Sequence, residues 1–508
     1  MLPGKSGKNI SKEKEERREK MKRTLSLSLA LMMLLLSVSC GDTSSNGGND
    51  TTASGGSAKD TASDTEAPKS LLEELGDRNF EGRTFTFLDS NGAPAAHVNI
   101  PGESENGDII NDSLYERDIY IEDRYNVKID YIETNDSNLG CANVKNSVLA
   151  GDSEYDFIMS RAMGGCLESL ATDGSLANLC DIPYLSLTEN WWSHYMYDNL
   201  RIDNKMYFTT GDITPTMYQM PACVYINRDL AEDYQVDTDF ASLVLDGKWT
   251  FDALNQVVAD KDDDLNNDDV YNENDDFFGF AVQMHGLMTQ SLLCGAGVNL
   301  SSVTDDGSNI VIDFSGDRTA NVVEKIRQLI PQHIVYSGSG VNVSKIFTEN
   351  RSIAMMHFVE SSMNSLRDMK SDYYILPVPK YDESQKDYRS VVNPWINAFA
   401  AIPLNADPEF SGFITEAMAR YSSENIRPKA YDITYKVKMT RDEHGAEMLD
   451  VIFNNVYLDF NCIYDFGTTR SKFDSIIIHN DPLTSTIAAV QSKADSEIAK
   501  FISNWDAE

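Results

Sequence analysis

An α/β fold built as two lobes is what this sequence predicts, and three observations predict it. Strand-like and helix-like segments alternate along most of the chain, which implies α/β units with parallel pairing. At 508 residues the chain exceeds one ordinary core, so two lobes are expected. Between two runs of alternation lies Thr209–Asp229: a Gly-Asp turn, a Pro-punctuated stretch, an apolar strand through Ala222, Val224 and Ile226, then Asn227 as a helix N-cap. That segment reads as a crossing between lobes, with a ligand cleft beside it.

The elements follow in order. Arg83–Leu88 is a first strand. In Ser113–Tyr125 the apolar Leu114, Ile121 and Tyr125 lie seven and four apart, the spacing of an amphipathic helix. Val127, Ile129 and Tyr131 alternate as a second strand. Val144–Leu149 is helical, Tyr155–Met159 is a short buried strand, and another helix starts near Gly164. Past the crossing, Thr250 caps a helix running to about Ala259. Phe278–Gln283 is a strand, Thr289–Cys294 begins a helix, Ile310–Phe314 is strand-like and Thr319–Leu329 is helical. Ile353–Phe358, Tyr374–Val378 and Ala398–Ile402 are strands, and helices dominate from Glu409. No internal repeat appears.

The formal charge is −37. The first 39 residues carry nine Lys/Arg and four Asp/Glu, so the remainder stands at −42. Such acidity argues against nucleic acid or anionic lipid as the main partner. Lys22-Arg23 precedes an uncharged, apolar run, Thr24–Cys40, too short to span a bilayer and laid out as a secretory signal. Its end, Leu36-Ser37-Val38-Ser39-Cys40, resembles the lipobox of bacterial lipoproteins, with Ser37 where that motif usually has Leu. The resemblance implies cleavage before Cys40 and a lipid on its thiol, which anchors the protein outside the cytoplasm; the other reading is an ordinary signal peptide with an incidental Cys. Met21 is the alternative start to Met1, since residues 1–20 add only a charged preamble. Residues 40–78 are rich in Ser, Gly and Asp and read as a flexible tether. Of the other cysteines, Cys141, Cys166, Cys180, Cys223, Cys294 and Cys462, none shows CxxC spacing; an even count outside the cytoplasm permits disulfides, but at this length a core does not require them, and scattered buried thiols are the preferred reading.

Several pieces resemble bacterial extracellular solute-binding proteins, family 1, the sugar-type receptors of ABC importers. They are Tyr225-Ile226-Asn227-Arg228-Asp229-Leu230, Lys248-Trp249-Thr250-Phe251-Asp252, Ser352-Ile353-Ala354-Met355-Met356, Leu376-Pro377-Val378-Pro379, and Asn397–Pro403 ahead of a helix. The resemblance implies a two-lobe, type II periplasmic-binding-protein fold with a hinge and an interlobe cleft. It also implies no catalysis, a monomer, and a membrane permease with its ATPase as partners; the chain itself has no GxxxxGK[ST]. Residues 79–218 and 357–398 are expected to form lobe 1, and residues 219–356 and 399–508 lobe 2.

Sugar recognition needs flat apolar faces and planar polar groups. Loops that the resemblance places at the cleft supply Arg161, Asp212, Tyr218, Gln219, Met284, His285, Glu360, Ser361, Asn393 and Trp395, with Trp192 of the Trp191-Trp192 pair as a rim platform. Trp395 is the principal candidate. Packing competes for the Trp pair, a structural ion pair competes for Arg161 and Glu360, and His285 has no partner His at ligand spacing. No cofactor is required.

One acidic run has calcium-loop spacing. Asp264, Asn266, Asp268, the Val270 carbonyl, Asn272 and Asp275 fall where a twelve-residue loop places its oxygens, as in dockerin-like loops. The turn glycine is missing, since Asn267-Asp268-Asp269 stands there, and a solvated acidic turn is the equal alternative. A structural Ca²⁺ is therefore weighed beside it. Two other functions compete with the receptor: an extracellular carbohydrate-active enzyme, which needs two placed carboxylates, and a calcium-dependent cell-surface interaction protein. Neither HExxH nor GxSxG occurs.

Overall fold

The computed structural model describes residues 69–90, 99–218, 220–329, 342–431, 441 and 443–505. The signal, Cys40 and Gln219 lie outside the described residues, as does the tether up to residue 68. For Tyr218 the backbone alone is described.

Two four-stranded sheets carry the architecture. The first joins β1 (Arg83–Ser90), β2 (Val127–Glu133), β3 (Phe157–Ser160) and β8 (Phe399–Ala401) in the order β8-β3-β1-β2. Phe85 lies opposite Ile129 and Phe87 opposite Phe157, both in parallel register, while β8 runs antiparallel to β3. Helices α1 (Ile109–Tyr125) and α2 (Ser137–Ala150) make the crossovers. Asp108 and Asp136 start them, each accepting two backbone N–H bonds, which satisfies donors that a helix start leaves orphaned.

The second sheet joins β4 (Ala222–Asn227), β5 (Phe278–Val282), β6 (Ser352–Phe358) and β7 (Tyr373–Pro377) in the order β5-β6-β4-β7. Only β5 and β6 pair parallel; β4 is antiparallel to both its neighbours. All six residues of β4 are buried. A central strand covered on both faces has no solvent side, which is why Tyr225 and Met220 blur the expected alternation. Asn227 caps the next helix as expected, accepting from Leu230 N–H at 3.1 Å.

Strand pairing differs from the expected lobe boundaries at two segments. Residues 373–377, expected in lobe 1, pair with β4; residues 399–401, expected in lobe 2, pair with β3. The chain thus returns to the first sheet through residues 392–398. This return lies beside the Thr209–Pro221 crossing: Ala400 N–H donates to Thr209 O at 2.7 Å, Asn393 N–H to Met220 O at 3.0 Å, and Thr216 Oγ1 to Asn397 Oδ1 at 3.2 Å. Val359 N–H, at the end of β6, donates to Pro221 O at 3.0 Å. Two crossings therefore lie side by side with the end of β6 against them, and the two sheets are tied here; the chain does not cross after Phe358, since β7 stays in the second sheet.

Helix α4 (Pro408–Tyr421) buries Phe410 and Phe413 against Phe80, Phe85 and Tyr125. The C-terminal helix α6 (Leu483–Trp505) buries Phe501 and Trp505 with Phe460. No helix among the described residues is long and apolar enough to cross a membrane.

The cysteine reading needs one correction. Cys141 in α2 and Cys166 form a disulfide, while Cys180 is half-buried and Cys223, Cys294 and Cys462 are buried free thiols. Parallel pairing of β1 with β3 brings residues 141 and 166 together, and no local spacing announces that.

Candidate functional site

A cleft of about 490 Å³ opens where the crossings meet. It lies beyond the ends of β3, β5 and β6, where open α/β sheets place ligands. Met163 follows β3. His285, Gly286 and Leu287 follow β5 and open helix α3 (Gly286–Gly295). His357, Phe358 and Glu360 close β6, Asn393, Trp395 and Ile396 come from the return crossing, and Arg470 comes from α5 (Thr469–Ile478).

Trp395 is held by its turn. Its N–H donates to Asn393 Oδ1 at 3.0 Å, and the Pro394 carbonyl accepts from Ala162 N–H at 3.1 Å and Met163 N–H at 3.2 Å. Gly164, at φ +95°, lets the ring approach: a Cβ there would stand 2.5 Å from it. The Arg161 guanidinium lies 4.3 Å from the Trp395 ring centre, a cation–π contact. Even so, Trp395 stays 44% exposed. Among the described tryptophans it is the one so exposed, and it lines the cleft.

The structure brings His285, Glu360, Asn393 and Trp395 together at the cleft, with Arg161 behind the tryptophan. Other candidates lie elsewhere. Trp192 is 2% exposed and gives its indole N–H to Glu416 Oε2 at 2.9 Å, so it is a core residue instead of a rim platform. Asp212 is buried and ion-paired with Arg427 at 3.5 Å. Met284 is buried one residue behind the lining. Ser361 is buried between the His357 ring, through Nδ1, and Ser344 Oγ. These residues sit where the chain makes its core, and burial leaves them no face for a ligand.

Sequence reasoning missed His357, Met163, Phe358, Ile396 and Arg470. His357 lies 72 positions from His285, so local spacing carried no signal; the register Val282 to Met356 puts them at adjacent strand ends. Arg470 belongs to the stretch after Glu409 that reads only as helical.

Burial holds the His357 imidazole down at about 4, and His285 is lowered by burial and by the Arg470 charge, with Asp474 opposing. Burial raises Glu360, against the bond from Asn364 Nδ2 at 2.9 Å. The native state therefore binds fewer protons at His357 than the unfolded chain, whose imidazole titrates near ~6.5. Its contribution is present above that value and is lost as pH falls from there towards 4. Melting temperature measured across this window should fall, and His357→Gln should flatten the slope relative to wild type. Equal slopes would remove His357 as the cause.

This is the fold of substrate-binding proteins of ABC transporters. Among solved structures that share it, UspC of M. tuberculosis has a TM-score of 0.53 at 13% identity, over 81% of this chain and 99% of that one. An ABC substrate-binding protein from Listeria monocytogenes in complex with cycloalternan has a TM-score of 0.51 at 12% identity, over 82% and 99%. A solute-binding protein from Agrobacterium radiobacter K84 in complex with ribitol has a TM-score of 0.50 at 10% identity, over 83% and 100%. No protein-family model matches the chain, and no curated protein does.

Proposed function

We propose that this chain is an extracytoplasmic receptor, anchored by lipid at Cys40, that binds one small carbohydrate and delivers it to an ABC importer by hinge closure. The half-exposed Trp395, set among Asn393, Glu360 and His285 where the two crossings meet the end of β6, carries the reading. Its ring offers a flat face to the C–H side of a sugar, and the polar groups around it suit hydroxyls. The ligands of two fold neighbours, cycloalternan and ribitol, support the same class. Glu360 is the one carboxylate lining the cleft among the described residues, whereas glycoside hydrolysis uses two, so an enzyme fits less well. A thermal-shift screen against sugars, sugar alcohols, peptides and polyamines tests the proposal. Stabilisation of about 2.7 kcal/mol is expected at a hundredfold excess over Kd. A response to peptides or polyamines alone would sink the carbohydrate assignment.

The acidic loop folds around Asp264, whose carboxylate accepts from the N–H groups of Asn267 at 2.8 Å and Asp269 at 2.8 Å. Asp269 takes the left-handed conformation, φ +65°, in which a glycine would be unstrained. Asn266 Nδ2 bridges Asp268 and Asp275, at 3.1 and 3.0 Å, so side chains from three of the spaced positions converge. Val270 and Asn272 follow at the loop's far side. Calcium binding here is part of the proposed reading. Millimolar Ca²⁺ should raise the melting temperature of the wild type and leave Asp264→Asn unmoved; no shift in the wild type would leave only a solvated turn.

A further inference from the structure

We infer that the cleft is built for a carbohydrate carrying an anionic group, a uronate carboxylate or a sugar sulfate or phosphate, received by Arg470 at the start of α3. This rests on the receptor reading and narrows its substrate class.

Arg470 lies across the helix start. A Cβ on Gly286 would meet its Cδ at 2.1 Å, so glycine is what lets the arginine side chain cross there. Its Nη2 donates to the Cys462 carbonyl at 3.0 Å, while its buried Nε has no hydrogen-bond partner. Arg161, at the back of Trp395, repeats the pattern: Nη2 donates to Gly164 O at 3.0 Å and a buried Nε has no partner. Acids outnumber bases 80 to 43 in this chain, yet among the described residues neither guanidinium has a carboxylate within ion-pair distance. Arg470 lines the cleft, so its guanidinium is placed to meet an anionic group there.

The helix start adds to the same field. His285 gives α3 no side-chain cap, so the Gly286 and Leu287 N–H groups at the cleft keep their hydrogen-bonding capacity. All ten residues of α3 are buried, which limits screening of its positive end. Burial raises two acids that feel the Arg470 charge, Asp465 and Asp474, which disfavours their charged forms. Asp474 accepts from Thr289 Oγ1, Asp465 accepts from Arg470 N–H at 2.8 Å, and burial disfavours the charged form of Glu360. Met163, Leu287, Phe358 and Ile396 make the remaining wall apolar, which fits a ligand with its charge at one end and a ring face at the other.

Titration calorimetry on the full chain separates the possibilities. The probes are uronate-terminated disaccharides, sulfated and phosphorylated monosaccharides, and the neutral counterpart of each. An acidic probe should bind about tenfold more tightly than its neutral counterpart, with a gap that narrows as salt rises. Whether carboxylate or sulfate and phosphate probes lead identifies the anion. Arg470→Gln should remove the preference by weakening acidic probes about tenfold more than neutral ones, and Arg161→Gln should reduce it; the second variant and the salt series serve if the first does not fold. Neutral probes binding as tightly as acidic ones, or Arg470→Gln weakening both kinds alike, overturns the inference and leaves the receptor reading standing. Binding of no sugar of either kind overturns both.

Discussion

Replacing Trp395 by Ala is expected to weaken ligand binding by about 2 kcal/mol, roughly thirtyfold, and to abolish the ligand-induced change in tryptophan fluorescence. The other tryptophans with defined packing serve the core: Trp191, Trp192, Trp249 and Trp505 are each under 10% exposed, so Trp395 is the reporter at the cleft. Because its ring is half in solvent, its removal should lower the stability of the empty protein by only about 1 kcal/mol. The two readouts therefore separate. Calorimetry on Trp395→Ala with unchanged affinity would end its assignment as the platform, and a collapse in melting temperature would show it to be a core residue.

Glu416→Gln should destabilise the fold by about 3–5 kcal/mol, because it leaves buried charge uncompensated. Glu416, on α4, has a side chain with no exposure at all, and Arg420 donates from Nε to Oε1 at 2.8 Å. Trp191 Nε1 donates to the same oxygen at 3.0 Å, and Trp192 Nε1 to Oε2 at 2.9 Å. The glutamine amide would point donors at donors and strip the Arg420 guanidinium of its counter-ion. By contrast, Lys145→Ala, at an exposed pair with Asp173, should change stability by no more than about 1 kcal/mol. Denaturant titrations of both variants decide the matter. If Glu416→Gln is as mild as Lys145→Ala, the cluster is not what holds the tryptophans.

These two tryptophan sites show how much of the candidate site was legible in the sequence. Trp395 stood out through its neighbours, since Asn393, Pro394 and Asn397 mark a turn that cannot be a helix interior. Trp191-Trp192 looked much the same, two aromatics on a loop. What separates them is a carboxylate more than 220 positions away, on a helix whose own pattern speaks only of packing. The same reasoning covers His285 and Glu360, found because they follow strands, and His357 and Arg470, missed because their relevance depends on which strand ends and helices meet.

The amino-acid sequence by itself determined the α/β class, the capped helix starts at Asn227 and Thr250, the Thr209–Pro221 crossing and the acidic loop. Each is written in local spacing or local hydrogen-bonding chemistry, which acts over a few residues. Tertiary structure alone decided that residues 373–377 and 399–401 exchange sheets, that Cys141 meets Cys166, that Trp192 is core, and that Arg470 reaches the cleft. Those outcomes depend on strand register and on which apolar faces find each other. Burial energy is non-directional and carries no sequence address, so only the folded chain specifies them.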